Sequence, residues 1–204
     1  MAEGRERMGE MVVPETFYAR PAAVVARALL GKRLVRTYAD GIPPQWARIV
    51  ETEAYVGTHD LACHASKGRT GRTEVMFGPP GRAYVYFIYG MYHCLNAVTG
   101  EEGEAAAVLI RGVEPLAGFD SKVRTDGPGR LCRAMQIDMS LNRSALTEGL
   151  SAPLSILDGT PVSPRRIARG PRIGVAYAGS WAEKPYRFWI RDNPFVSRPG
   201  NRVA

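Results

Sequence analysis

The chain is poor in the features that staple, span or extend a protein. It has only three cysteines in 204 residues, Cys63, Cys94 and Cys132, and no CxxC pair. So sparse and odd a set excludes a disulfide scaffold and reads as free thiols in a reduced, intracellular setting. No run of about 18 apolar residues occurs, which excludes a transmembrane helix. The tyrosine- and isoleucine-rich run from Tyr84 to Leu95 is too short and too polar to span. The opening MAEGRERMGE has no apolar stretch of the kind a secretory leader needs. There is no internal repeat, no low-complexity tract and no block of five consecutive basic residues. Lysine is scarce, at four (Lys32, Lys67, Lys122, Lys184).

What is present fits one domain, or at most two small ones. At 45% apolar residues, the chain can bury a core without metal or disulfides, and disorder is not expected. His59, Cys63 and His64, or His93 and Cys94, could be imagined around a zinc ion. Their spacing matches no finger or knuckle, and isolated cysteines are usually small core hydrophobes, so no metal is expected.

Charge is unevenly spread. The net charge is +7, carried by 23 arginines and the four lysines. From Ser163 to Ala204 nine basic residues face two acids, Glu183 and Asp192, whereas Asn96 to Asp120 holds one arginine against five acids. An uneven basic surface favours an anionic polymer as partner. Arginine bias alone equally reflects coding composition, and a charge run is usually a solvated face.

The pattern of elements predicts an α+β fold in one domain, residues 14–204, preceded by a loosely docked arm over residues 1–13. Pro21 opens an apolar helix, Ala22 to Leu30, that Gly31 ends. Strands are expected at 33–38 and 46–55, with Asp40-Gly41 as a turn between them. Residues 57–81, rich in Gly, Thr, Arg and Pro, read as a long irregular segment, and such loops are usually functional. Strands 82–88 and 91–98 flank a tight Tyr89-Gly90 turn, and 105–113 follows as a third. A helix is expected over Leu131 to Ile137, loops over 140–170 with a strand at 154–157, and a late strand over 185–191. Consecutive hairpins imply a curved antiparallel sheet with peripheral helices and a protruding β-hairpin.

Two segments carry chemistry. Tyr84, Tyr86, Tyr89 and Tyr92 fall within nine residues of one hairpin. Tyrosines pack well across strands, which is the plain explanation. Tyr89, however, sits at the tip, where an exposed ring could act as a wedge between base pairs, and the rings behind it could hold an unstacked base. The second segment is Arg48-Ile-Val-Glu-Thr-Glu-Ala-Tyr55. Alternation puts Glu51, Glu53 and Tyr55 on one face of a strand. If that face is solvated, the acids are ordinary surface charges. If it is interior, one of them is a candidate general base beside an aromatic platform.

Together these segments, with Asn96 downstream, resemble the alkyladenine (3-methyladenine) DNA glycosylase family. The resemblance continues through Leu109-Ile-Arg-Gly-Val-Glu-Pro115, Gly127-Pro-Gly-Arg-Leu-Cys132, Arg172-Ile-Gly-Val175 and Trp181-Ala-Glu-Lys-Pro-Tyr-Arg-Phe188. It implies a repair enzyme that flips alkylated or deaminated purines out of duplex DNA and hydrolyses the N-glycosidic bond. Glu53 matches the general base, Arg111 an arginine that helps hold the water, and the Ile173 carbonyl a third water ligand. Tyr55, His64 and Tyr86 match the rings around the flipped base. Tyr89, with Met91 nearby, matches the side chain that fills the gap in the duplex from the minor groove. Asn96 matches an asparagine that disfavours the amino group of guanine. The segment around His64 fits more loosely, and residues 140–170 carry no family motif.

Lys67, Arg69, Arg72 and Arg82 are candidates for DNA-backbone contacts. No cofactor and no membrane are implied, and a monomer is expected, in the cytoplasm or nucleoid of a bacterium or the nucleus of a eukaryote. With no lysine in the two core blocks, no Schiff-base step is expected. Two other classes stay open on the residues alone: a non-catalytic nucleic-acid-binding module on the same fold, and a small-molecule enzyme using Glu51 or Glu53.

Overall fold

The computed structural model describes residues 11–39 and 41–197. Most of the arm expected over residues 1–13, and Asp40 of the Asp40-Gly41 turn, lie outside the described residues. The end of that arm is docked. Val12 bridges Leu157, and Val13 is buried with its N–H on the Ile156 carbonyl at 3.0 Å.

The sheet is built around β2 (Gln45–Tyr55), whose central residues are buried on both faces. One edge of β2 pairs with β5 (Ala106–Ala117). Its other edge is shared: β1 (Arg33–Arg36) takes the first half, and β8 (Arg187–Ile190) takes Glu51 to Glu53. Beyond β5 lie β4 (Tyr92–Thr99) and β3 (Ala83–Ile88), and beyond β1 lies β6 (Leu154–Leu157). β7 (Ile167–Gly170) pairs with β8. All eight strands pair antiparallel, as the hairpin pattern implies.

Among the described residues, three α-helices cover the sheet. α1 (Glu15–Tyr18) is a single turn. α2 (Ala22–Leu29) buries Ala22, Val25, Ala26 and Leu29, one stripe at helical spacing, against β2 and β5. Between the two acids of β2, Thr52 points to the helix side and donates to the Ala26 carbonyl at 2.8 Å. α3 (Pro128–Ala134) packs on β4 and β5.

Several boundaries differ from the pattern-based expectation. α3 starts at Pro128 rather than Leu131, because proline at a first helical position loses no hydrogen bond. β5 runs on to Ala117 through Pro115, on the stretch that pairs only with the start of β2. β7 lies inside the region expected to be loops, since four residues leave too short an alternation to read. The long segment 57–81 is anchored rather than loose. It contains two 3-10 turns, His64–Lys67 and Glu74–Phe77. Cys63, Ala65, Val75 and Met76 form a second small core with Tyr84, Val98, Ala105 and Ala107. Among the described residues, no helix is long and apolar enough to cross a membrane.

Candidate active site

Strand alternation and register assemble one face of the sheet. Tyr84 pairs with Asn96 and Tyr86 with Cys94 across β3 and β4, and Asn96 pairs with Leu109 of β5, which pairs with Glu53 of β2. With side chains repeating every second residue, Tyr84, Tyr86, Cys94, Asn96, Ala107, Leu109 and Tyr55 all turn to the same side. They line a cavity of about 850 Å³, within the size range of small-ligand and cofactor pockets. Ala62 to His64 and the Ile173–Tyr177 segment close its sides.

At the mouth stands the hairpin tip. Met91 N–H bonds the Ile88 carbonyl at 3.2 Å, and both central residues have positive φ, 54° at Tyr89 and 68° at Gly90. This is the primed type of turn that matches strand twist, and it demands φ > 0 at both positions. Glycine adopts it freely, whereas tyrosine does so at a cost of roughly 1–2 kcal/mol. Among the described residues, the strained residue is also the most exposed large hydrophobic, with Tyr89 at 80% and Met91 at 59%. Tyr177 faces the mouth from the other side, 72% exposed, its hydroxyl on the Ala62 carbonyl at 3.3 Å.

The aromatic wall is ordered by a few contacts. His64 Nδ1 lies 2.9 Å from the Tyr84 hydroxyl, and its ring meets Tyr86 edge-to-face at 4.6 Å between centroids. Burial, then the charge of Arg72, lowers the His64 pKa to about 4, so the imidazole is neutral at pH 7. Asn96, buried, donates from Nδ2 to the Tyr84 carbonyl at 3.0 Å, which fixes the direction of its amide. Burial pushes the thiols of Cys63 and Cys94, which also line the cavity, up to about 11.

Beneath the floor lie Glu51 and Glu53, both fully buried. The interior alternative for this acid pair is therefore the one adopted. Pairing here is irregular: Glu51 faces Gly112 while Thr52 faces Ile110, so Arg111 is the skipped residue of a bulge. Bulges re-aim side chains, and this one aims Arg111 at both acids. Its Nε lies 3.2 Å from Glu51 Oε1 and 3.6 Å from Glu53 Oε1. Glu51 is saturated. It accepts from Arg187 Nε at 2.6 Å, Ser197 N–H at 2.7 Å and Ser197 Oγ at 2.9 Å. Gly112 makes room for this closure, since a Cβ there would lie 2.6 Å from the Phe195 carbonyl. Glu53 has fewer donors: Ile173 N–H on Oε1 at 2.8 Å and the Tyr55 hydroxyl on Oε2 at 3.0 Å. A carboxylate has about four lone-pair sites, so Glu53 keeps capacity for a water. Burial and then Glu53 raise the Tyr55 pKa well above its usual value, so the phenol donates as a neutral group.

A buried ion pair ties the two sides together. Arg172 reaches Asp60 through two hydrogen bonds, 2.5 and 2.9 Å, with both side chains fully buried. Arg172 also donates to the Ala54 carbonyl at 2.8 Å, and its guanidinium lies 4.8 Å from the Tyr55 ring centre. The neighbouring residue is Ile173, whose N–H holds Glu53.

The structure thus brings together Tyr55, His64, Tyr86, Tyr89, Met91, Asn96, Arg111 and Ile173 around one cavity, with Glu53 just beneath. The four basic candidates are scattered. Lys67 is exposed at the end of its 3-10 turn, and Arg69 is taken by Glu74 through two bonds of 2.9 Å. Arg82 sits at the far end of β3 from the tip, bridging Ala145. Arg72 lies over the Tyr86 ring, 5.0 Å from its centre. Residue reasoning missed Asp60, Arg187 and Ser197. Asp60 alone had a local signal, an aspartate in a Gly-rich turn whose carboxylate caps Ala62 N–H at 3.0 Å. The histidines diverge, His59 against Trp181, His64 against Tyr86 and His93 against Phe87. Among the described residues, no group of three His, Cys, Asp or Glu is placed to hold a metal.

Comparison with known proteins bears on the same residues. A family model described as methylpurine-DNA glycosylase (MPG) matches residues 16–194. A protein of Myxococcus xanthus is 57% identical over 194 residues, covering 93% of this chain and 97% of its own. One from Legionella pneumophila strain Corby is 51% identical over 186 residues (91% and 98%), and one from Methanocella arvoryzae is 50% identical over 203 (93% and 98%). All three carry the provisional name 3-methyladenine DNA glycosylase. With its matching segments spread from the first helix to the strand that closes over Glu51, the chain belongs to the methylpurine-DNA glycosylase family.

Proposed function

We propose that this protein is a monofunctional glycosylase that removes damaged purines of the 3-methyladenine, hypoxanthine and ethenoadenine class from duplex DNA, starting base excision repair. The observation that carries the reading is a buried carboxylate, Glu53, beneath an aromatic cavity whose mouth is flanked by an exposed, strained tyrosine. The enzyme grips DNA as a monomer from the minor groove, and Tyr89, backed by Met91, fills the gap left by the extruded nucleotide. The base enters between Tyr55 on one side and His64 and Tyr86 on the other. Asn96 disfavours bases with a guanine-type amino group.

Chemistry follows at the floor. A water held by Glu53, Arg111 and the Ile173 carbonyl attacks C1′ of the sugar. The N-glycosidic bond breaks, its electron pair leaves with the base, and the proton of the water passes to Glu53. The carboxylate also stabilises the positive charge that develops on the sugar. A neutral base needs a proton or hydrogen bond as it leaves, for which a backbone amide near His64 is the candidate. Supporting a monofunctional course, no lysine is among the residues lining the cavity. Borohydride trapping of a covalent enzyme–DNA adduct would overturn that part.

A gel-based excision assay tests the reading. Duplexes with one 3-methyladenine, hypoxanthine or ethenoadenine are treated with the wild type or Glu53→Gln, then with alkali. Cleavage by the wild type that disappears in Glu53→Gln, with DNA binding intact, supports both activity and base. Product from both proteins rejects Glu53 as the base. No product from either, despite tight binding, favours a non-catalytic nucleic-acid-binding module.

A further inference from the structure

Arg72 stands out because its position fits a different task from that of its basic neighbours. It comes from the 57–81 segment and lies over Tyr86, within the electrostatic reach of His64, Tyr84 and Cys94, all of which line the cavity. Arg69, three residues earlier, is neutralised by Glu74. Among the described residues, no carboxylate lies within ion-pair distance of Arg72. The charges beneath the floor cancel, with Glu51 and Glu53 against Arg111 and Arg187, and Asp60 cancels Arg172. Of the charges lining the cavity, Asp126 pairs with Arg130, and Arg133 lies over Tyr92. Arg72, exposed and over Tyr86, is thus the uncancelled charge nearest the rings of Tyr86 and His64. An electron-rich ring attracts a cation to its face, but Tyr86 already has one.

We propose that Arg72 is a specificity-determining residue, a cation parked on the base-stacking wall that handicaps positively charged purines relative to neutral ones. The inference rests on the glycosylase reading above. A purine methylated at N3 carries a positive charge while bonded to its sugar, whereas hypoxanthine is neutral. The guanidinium is 5.0 Å from the Tyr86 ring centre, so a charged base stacked against that ring comes within about one Debye length (about 8–10 Å), where repulsion is only partly screened.

The test is competition. Two duplexes, one with a single 3-methyladenine and one with a single hypoxanthine, compete for limiting enzyme, which reads the ratio of their kcat/KM values. Arg72→Gln is expected to raise the 3-methyladenine to hypoxanthine ratio about fivefold, and Arg72→Lys, which keeps the charge, to leave it within about twofold of wild type. A second readout needs no catalysis. In an NMR titration, the His64 imidazole pKa should rise in Arg72→Gln and hold in Arg72→Lys. An unchanged ratio, or a stationary His64, overturns the proposal. Equal losses on both duplexes with a shallower salt dependence also overturn it, and make Arg72 a phosphate contact instead. If the wild type cuts neither duplex, the glycosylase reading fails by itself, and competitive binding of the same duplexes then decides whether Arg72 sets a charge preference.

Discussion

Beneath the cavity floor, Glu51 and Glu53 lie fully buried among donors from Arg111, Arg187, Tyr55, Ile173 and Ser197. At the mouth, Tyr89, Met91 and Tyr177 stand 80%, 59% and 72% exposed. The floor is fixed by hydrogen bonds and ion pairs within the chain, the preorganised kind of surrounding that can stabilise a reacting charge. The mouth leaves two large rings in water, an exposed surface of the kind that marks interaction sites. Within the floor the contrast repeats. Glu51 has its bonding capacity spent on structure, while Glu53, two residues on, keeps lone pairs and lies next to the cavity lining.

The sharpest way to break this comparison is at Glu53. Glu53→Gln keeps the shape and removes the proposed base, so excision should fall about 10²–10⁴-fold with binding and folding retained. A loss below tenfold would return Glu53 to a structural role. Glu51→Ala should do the reverse. It removes the carboxylate partner of Arg187 and leaves Arg111 with Glu53 alone, and urea denaturation should show about 3–5 kcal/mol of lost stability. A change under about 1 kcal/mol would mean the acids are interchangeable.

Tyr89→Gly separates mouth from floor. Stability should rise by up to about 1–2 kcal/mol as the left-handed strain is relieved. Affinity for a damaged duplex should weaken by about 1–3 kcal/mol as the ring is lost. If both quantities fall, the tyrosine packs on the protein rather than on DNA. A last effect concerns acid. His64 titrates near 4 in the folded chain against an ordinary value of 6.5, so between those limits the unfolded chain binds more protons. His64 therefore costs stability as pH falls through that window. His64→Gln should flatten the slope between pH 6.5 and 4, which a series of melting temperatures would read. An unchanged slope would mean the imidazole is solvated.

Much of this was legible along the chain. Hairpin alternation, the Tyr89-Gly90 turn and the Pro21 helix start are local, set by side-chain period and backbone sterics within a few residues. Glu51, Glu53 and Tyr55 could be put on one face for the same reason, but whether that face was wet or dry could not be read. Asp60 and Arg172 are 112 residues apart, and Ser197 and Glu51 are 146. No period links residues at such separations. β7 escaped notice because its four residues are ordered by β8, not by their own pattern.

Residue order alone thus decided the α+β class, the hairpin with its exposed ring, and the family to which the chain belongs, since each depends on short motifs in sequence. The family resemblance pointed to Glu53 over Glu51, but tertiary structure alone supplied the physical difference, one acid spent and the other free. That difference follows from a bulge that turns Arg111 inward and from a C-terminal segment that folds back over Glu51. Folding also placed Arg72, one of four scattered basic candidates, over the ring of Tyr86. A charge takes its role from what surrounds it, and its surroundings exist only once distant strands have met.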